Sequence, residues 1–251
     1  MADCSPIEWT EATWNPVTGC SKVSSGCRHC YAERLALRLQ AMGNRSYLNG
    51  FRVTLHERML ELPMTWRKPR MVFVNSMSDM FHEDVPLSFI RRVFDVIAAC
   101  PQHVFQMLTK RSRRMRELAP GLKWPANLWM GVTVEESRCS GRISDLLAVP
   151  AAVRFLSCEP LLGPLEKLPL RKIDWVIVGG ESGPNARPMK REWAVSLLRQ
   201  CRAAGVPFFF KQWGGVRKDL AGRTLQGRTY DEMPESSIAR VSAGLPLFES
   251  V

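Results

Sequence analysis

The stretch WNPVTGCSKVSSGCRHCY, residues 14–31, places three cysteines on one short loop. Cys20, Cys27 and Cys30 follow the spacing C-x6-C-x2-C, the loop is rich in Gly and Ser, and a helical pattern begins directly behind it. Three thiolates on one loop can close around a metal ion or a cluster, and a Cys-x-x-Cys pair beside a helix start aims two sulfurs at one centre. We therefore predict a metal centre on these cysteines. One coordination position is then either open or filled from elsewhere in the chain.

Length and composition describe a chain that can bury a substantial core. At 251 residues with 45% hydrophobic content, it suits one α/β barrel. The sequence contains no apolar run of about 18 residues, so no membrane span is predicted. The acidic start MADCSPIEWTEA lacks the apolar core of a signal peptide. We expect a cytoplasmic protein whose eight cysteines stay reduced, so the clustered thiols are ligands rather than disulfides. The remaining thiols that we expect to be plain buried or surface groups are Cys4, Cys100, Cys139 and Cys201.

The charge balance favours a polyanionic partner. Lys and Arg number 35 against 24 Asp and Glu, a net charge of +11, which indicates nucleic acid or a nucleotide-like substrate. The basic run KRSRRMR, residues 110–116, opens a predicted helix, where cations oppose the helix dipole. A phosphate backbone nearby would reverse that penalty, whereas a solvated helix face is the alternative interpretation.

Short apolar runs alternate with helical patterns along the chain. The predicted strands are residues 9–17, 71–75, 103–109, 128–134, 153–157, 173–178 and 206–210. Buried strands separated by helices pair in parallel, and no Gly-x-Gly-x-x-Gly follows the first strand. The pattern predicts a partial or full parallel (β/α) barrel of the TIM type, with a doubly wound open sheet as the alternative. We expect a single domain over residues 1–251, with 214–251 as a C-terminal cap.

Polar or charged side chains follow nearly every predicted strand. In a (β/α) barrel the loops after the carboxyl ends of the strands build the site, so these residues are expected to converge on one pocket. They include Asn75, Ser76, Asp79, Lys110, Arg111, Thr133, Glu135, Glu159, Glu181, Lys211 and Gln212. Several tryptophans could stack nucleic-acid bases, although core positions are the favoured interpretation for most of them: Trp9, Trp14, Trp124, Trp129, Trp175 and Trp213.

The cysteine loop and the strings around it carry a family resemblance. A cysteine loop before the first helix of a (β/α) barrel resembles the radical S-adenosylmethionine (SAM) superfamily, although the usual motif C-x3-C-x-aromatic-C has a first gap of three residues rather than six. The sequence is more closely similar to a phage-associated, radical-SAM-like family of unknown function that is sometimes labelled as related to spore photoproduct lyase. The strings include TWNPVTGCSKVSSGCRHCYAERLA (13–36), VFVNSMSDMFHEDVP (72–86), WVIVGGESG (175–183) and FFFKQWGG (208–215).

The resemblance implies a specific cofactor arrangement. Cys20, Cys27 and Cys30 would bind three irons of a 4Fe-4S cluster, and the fourth iron would bind SAM, with electrons from a low-potential donor such as flavodoxin or ferredoxin. The residues implied on the cofactor side are His29, Asn75, Ser76, Asp79, Thr133 and Glu135. Those implied to act on substrate are Lys110, Glu135, Glu159, Glu181 and Lys211, with Gln212 beside them.

The sequence is compatible with three functions. The favoured one is a radical SAM enzyme that repairs or modifies bases in nucleic acid, DNA rather than RNA. A second is a nucleic-acid-binding protein whose structural or redox-sensing cluster is closed by Glu159 or Cys158. A third is a zinc site with His29 or a distant cysteine as the fourth ligand.

Overall fold

A computed structural model describes residue 5 and residues 7–234, except for the side chains of residues 218 and 219. Within this part of the chain, seven parallel strands form one curled half-barrel and pair in the order in which they follow one another along the chain. Two further strands, β2 (Val17–Thr18) and β3 (Thr54–Leu55), form a separate small sheet. The strands of the half-barrel are β1 (Ala12–Trp14), β4 (Met71–Val74), β5 (Val104–Thr109), β6 (Leu128–Thr133), β7 (Val153–Cys158), β8 (Trp175–Gly179) and β9 (Phe208–Gln212). The predicted fold class, a partial parallel barrel, is therefore confirmed.

Helices follow the strands, and the four helices that lie between β4 and β9 in the chain cover the outer face of the sheet. The helices are α1 (Tyr31–Ala41), α2 (Leu87–Ala99), α3 (Ser112–Leu118), α4 (Gly141–Leu147), α5 (Arg191–Ala204) and the short α6 (Lys218–Ala221). On α2 the buried residues Phe89, Ile90, Val93, Phe94 and Ile97 recur at helical spacing. Gly205, with a φ of 66°, ends α5 in the left-handed conformation that glycine adopts without strain. None of the helices in the described chain has the length and apolar character to cross a membrane.

The two faces of the sheet bury different side chains. The outer face packs on the helices, whereas the inner face forms an aromatic cluster around Trp9, Phe73, Trp129, Phe155 and Trp175. A Cβ at residue 131 would lie 2.4 Å from the Phe155 ring, so Gly131 makes room for it. The tryptophans at 14, 129 and 175 are fully buried, which confirms their assignment to the core.

The first strand is shorter than predicted. Residues 9–17 were expected to form one strand, but β1 ends at Trp14, and Val17–Thr18 (β2) pairs antiparallel with Thr54–Leu55 (β3) in a separate small sheet. The physical reason is Pro16, which has no N–H to donate to the first sheet. Between α1 and β4, residues 44–69 form 3-10 turns on both sides of β3.

The last strand is shifted toward its carboxyl end. It was predicted at 206–210 and lies at Phe208–Gln212, because Pro207 cannot donate to the ladder and its carbonyl instead accepts from Val176 N. Phe210 N donates to Tyr230 O at 2.9 Å, so the chain after residue 225 lies along the free edge of β9. The expected cap at 214–251 remains a prediction, since its residues 235–251 lie outside the described part.

Candidate functional site

The carboxyl ends of the strands surround a cavity of about 440 Å³. All three loop cysteines line it, and so do residues at or just after the carboxyl ends of the other six strands. The predicted site residues that line the cavity are Cys20, Cys27, His29, Cys30, Asn75, Ser76, Asp79, Lys110, Thr133, Glu159, Glu181, Lys211 and Gln212. The fold therefore brings the cysteine loop and the strand-end residues to one place.

Glu135 does not lie with them. It is not among the residues that line the cavity in the described chain, and its side chain has no solvent exposure. Its carboxylate lies behind the cysteine loop, between Ser24 and Arg142. The structure thus brings together every predicted site residue except Glu135, for which a direct contact with cofactor or substrate was expected.

The beginning of the cysteine loop is held by a tight backbone contact. Cys20 N donates to Phe51 O at 3.1 Å, and a Cβ at residue 19 would lie 2.2 Å from Arg52 O. Gly19 has a φ of 84°, so both the close approach and the conformation require glycine. Cys27 ends a 3-10 turn, and Cys30 is the N-cap residue of α1.

Arg111 anchors the Cys20 end of the loop from β5. Its guanidinium is buried and donates to Cys20 Sγ at 3.6 Å, to Ser21 Oγ at 2.7 Å and to Glu83 at 3.0 Å. Burial, together with the carboxylate of Asp79, raises the pKa of Cys20 to about 11, while Arg111 opposes this rise. Binding of a metal to this thiol would therefore release a proton.

A second set of contacts holds the loop from β8. Glu181 Oε2 lies 3.1 Å from His29 Nδ1 and accepts a hydrogen bond of 2.9 Å from Arg187 Nε, and Arg187 Nη2 donates to Ser25 O at 2.9 Å. Burial alone would raise the pKa of Glu181, but the hydrogen bonds from Arg187 and His29 lower it to about 2. Glu181 is therefore an ionised residue that ties the loop to the barrel.

The cavity wall after β4 contains Asn75 in the left-handed conformation and Asp79, whose carboxylate accepts several hydrogen bonds. Asp79 accepts hydrogen bonds from Thr109 Oγ1 at 2.7 Å, Lys110 N at 3.0 Å and Phe81 N at 3.0 Å. Asn75, with a φ of 60°, is buried, and its Nδ2 has no hydrogen-bond partner within residues 7–234. A buried donor without a partner in a cavity wall is a candidate ligand-binding group.

The opposite wall carries a charged pair. Lys211 Nζ donates to Glu159 Oε1 at 2.7 Å, and Gln212 Nε2 donates to the same oxygen at 3.1 Å. Lys110 Nζ donates to Thr133 Oγ1 at 3.2 Å. Cys158, considered above as a possible fourth cluster ligand, is fully buried in the outer core and is not among the cavity residues of the described chain.

The basic run at 110–116 is largely occupied by protein partners. Arg111 is buried, Arg113 pairs with Glu117 at 2.8 Å, and Arg116 pairs with Asp145 at 2.7 Å. Arg114 donates to the carbonyls of His82 and Val85. These contacts give the cations of the run protein partners, although the side chains of Arg113 and Arg116 remain 83% and 49% exposed. Phosphate binding by the run stays a prediction.

Two residues anchor the cysteine loop in a way that the sequence did not indicate. Arg187 lies in the string ARPM, residues 186–189, which belongs to the family resemblance but carried no predicted role. Arg111 was expected among the strand-end residues and in the basic run, but its contact with the cysteine loop depends on tertiary structure.

Residues 4–234 match the family described as "Protein of unknown function (DUF5131)". The match covers most of the chain. The protein belongs to this family, as the sequence resemblance indicated. No curated protein matches the sequence.

The DUF5131 chain is also distantly similar in structure to spore photoproduct lyase. One variant of that enzyme gives a TM-score of 0.48 at 14% identity, over 70% of this chain and 57% of that chain. The complex with a dinucleoside spore photoproduct gives 0.45 at 11% identity, over 74% and 59%. A variant with bound AdoMet and the dinucleoside gives 0.44 at 12% identity, over 66% and 55%. The chain thus spans less than two thirds of each of these structures.

Among the described residues, no three side chains of His, Cys, Asp or Glu are grouped to hold one metal ion. The iron–sulfur cluster and the zinc alternative therefore both remain predictions for the three loop cysteines.

Proposed function

We propose that this protein is a radical-SAM-type enzyme that acts on a nucleic acid or nucleotide, in base repair or modification. The observation that carries the proposal is the shared cavity: three thiols on one loop face the polar ends of the barrel strands. Cys20, Cys27 and Cys30 would hold a 4Fe-4S cluster, and SAM would bind beside it. The family resemblance of the cysteine loop supports the same assignment.

The residues of the cavity fit these groups. Three soft thiolates from one loop leave one iron of a four-iron cluster free for a small ligand. The partnerless Nδ2 of Asn75 could donate to a carboxylate of that ligand, with Ser76 and Asp79 beside it in the same wall. When bound, the cluster and SAM supply hydrogen-atom abstraction, which protein side chains cannot perform alone.

The chain itself contributes position, charge and shielding from water. Glu181 and Arg111 hold the two ends of the cysteine loop beside the cavity. Lys211 and Glu159 present a charged pair in the wall on the substrate side, and Lys110 lies near Thr133. Their low exposure strengthens electrostatic interactions with a polar substrate.

A nucleic-acid substrate is supported by the net charge of +11. The cations of the basic run at 110–116 have protein partners, so other exposed cations, such as Arg28 on the cysteine loop and Arg52 behind it, are further candidates for phosphate contacts. DNA is the favoured polymer, and flavodoxin or ferredoxin is the expected class of electron donor.

Anaerobic reconstitution with iron and sulfide tests the proposal. We expect about four irons per chain and, with SAM and dithionite, release of 5′-deoxyadenosine. An intact, reducible cluster that never cleaves SAM would instead favour a structural or redox-sensing cluster. Zinc in place of iron after anaerobic purification would contradict the proposal.

A further inference from the structure

Residues 24–26, in the middle of the long gap between Cys20 and Cys27, lie directly on a buried carboxylate. Ser24 Oγ donates a hydrogen bond of 2.5 Å to Glu135 Oε1. A Cβ added at residue 26 would lie 2.4 Å from the same oxygen, so Gly26 allows the close approach. The second half of the six-residue gap is therefore the part of the loop that contacts Glu135.

The charge of Glu135 is compensated from two sides. Arg142 Nη1 lies 2.7 Å from Glu135 Oε2 and donates to Thr133 O at 2.7 Å. A fully buried carboxylate is costly unless each oxygen is paired or hydrogen-bonded. Arg142 satisfies one oxygen, and the loop hydroxyl of Ser24 satisfies the other. The buried charge thus favours the conformation in which the loop lies on it.

Other contacts also hold residues 24–26, but they involve different partners from Glu135. Ser25 Oγ donates to Glu136, which is partly exposed, and Ser25 O accepts from Arg187. Residues 24–26 are thereby held between the loops that follow β6 and β8. Glu135 is the fully buried member of this set, and it lies outside the cavity lining found in the described chain.

We propose that Glu135 is a positioning residue for the cysteine loop. The loop latch, formed by Ser24, Gly26, Glu135 and Arg142, holds the loop against the barrel so that Cys20 and Cys27 face the cavity before a metal binds. The six-residue gap supplies the length that the loop needs to reach Glu135. The identity of the group that binds afterwards rests on the proposed function, whereas the latch is a property of the metal-free chain.

Trypsin cleavage of the metal-free protein tests the latch directly. Lys22 and Arg28 are exposed and lie on either side of residues 24–26. Ser24→Ala removes the hydrogen bond from the loop and leaves the Glu135–Arg142 pair in place. Gly26→Ala instead adds a Cβ that collides with the Glu135 carboxylate, so the loop and the carboxylate must separate. Loss of a hydrogen bond to a charged group should accelerate cleavage at these sites by roughly tenfold or more. The midpoint of global thermal unfolding should stay close to that of the native sequence.

The same variants are then reconstituted with iron and sulfide. We expect Ser24→Ala and Gly26→Ala to retain clearly less iron per chain than the native sequence. Glu135→Gln keeps the side-chain shape but removes the charge. It should behave like Ser24→Ala and Gly26→Ala in both the cleavage and the iron-binding assay. Val23→Ala is the matched control, because Val23 is on the same loop, 44% exposed, and outside the latch. It should be cleaved and loaded like the native protein.

The outcomes separate the two proposals. Native-like cleavage of metal-free Ser24→Ala and Gly26→Ala would overturn the latch, whatever their iron content. Faster cleavage of these variants in a protein whose native form binds no iron would retain the latch and reject the cluster. If Glu135→Gln fails to fold, the two loop variants still decide the question.

Discussion

Lys211 Nζ lies 2.7 Å from Glu159 Oε1 in the cavity wall, although 52 residues separate the two in the chain. The pair joins the ends of β7 and β9, which are not adjacent in the sheet. Their side chains are 13% and 20% exposed, so the pair is largely withdrawn from solvent. Such a pair is more sensitive to removal of one partner than an ion pair on the surface.

Lys211→Met should therefore destabilise the fold, because it leaves the Glu159 carboxylate without its cation. We expect a loss of about 1–2 kcal/mol in the free energy of unfolding. Adding Glu159→Gln should restore part of it, with a coupling energy of about 1 kcal/mol. Urea unfolding of the single and double variants measures this cycle. Strictly additive losses would mean that the pair does not form in solution.

Cys27→Ala should prevent assembly of the cluster, because it removes one of the three thiolate ligands. The matched control is Cys100→Ala, since Cys100 is buried in the outer core away from the cavity. After anaerobic reconstitution, iron analysis should show near-complete loss for Cys27→Ala and native content for Cys100→Ala. Equal iron content in both variants would remove Cys27 from the proposed site.

Gly180→Ala should be strongly destabilising. A Cβ at residue 180 would lie 1.9 Å from Trp213 O, a backbone atom that cannot move aside cheaply. We expect a loss of roughly 3 kcal/mol or more. Gly141→Ala is the control, because a Cβ there meets nothing within 4 Å in the described chain and Gly141 begins α4. It should be neutral or stabilising by about 0.5 kcal/mol, and urea unfolding of both variants tests the contrast.

The Glu181 contacts predict how stability depends on acid pH. The folded protein lowers the pKa of Glu181 from its ordinary 4.5 to about 2. The unfolded chain therefore binds more protons between these values, so the contribution of Glu181 is complete above pH 4.5 and is lost as the pH falls toward 2. The stability difference between the native sequence and Glu181→Gln should shrink across this window.

Urea unfolding at a series of pH values measures that difference. Glu166→Gln, which changes an exposed carboxylate, serves as the control and should show no comparable trend. A difference between the native sequence and Glu181→Gln that is constant with pH would show that Glu181 is not held ionised by Arg187 and His29.

The ion pairs of α3 predict that two of its arginines do not contribute to nucleic-acid binding. Arg113 and Arg116 are paired with Glu117 and Asp145, so Arg113→Ala with Arg116→Ala should leave the salt dependence of oligonucleotide binding unchanged. Arg28→Ala removes an exposed cation for which no ion pair is found in the described chain. If Arg28 contacts a phosphate, the slope of log affinity against log salt should fall by about one. A steep loss for the Arg113 and Arg116 variant would restore the basic run as a binding surface.

Strand positions were readable from the sequence wherever a strand is buried on both faces. Such strands appear as uninterrupted apolar runs, as in Leu128–Thr133 and Trp175–Gly179. The predicted strand ends were wrong next to proline residues. Pro16 separates β1 from β2, and β9 begins only after Pro207. A one-dimensional hydrophobic pattern does not report the missing N–H that decides these boundaries.

Side-chain roles were harder to predict than positions. The convergence of strand-end residues follows from fold topology, so most of the candidate residues could be predicted from the sequence. Whether a charged side chain faces the cavity or holds a loop depends on distant partners. Glu135 and Arg111 are the examples, since Ser24 and Ser21 contact them across 111 and 90 residues of sequence.

The sequence by itself determined the alternation of strands and helices, the three-cysteine loop and its family, because these are recorded in local spacing. Only the tertiary structure decided that Glu135 supports the loop, that the basic run is paired internally, and that Lys211 meets Glu159. Those outcomes depend on which buried charges find partners as the chain closes, and electrostatic compensation between distant residues leaves no periodic mark in a sequence.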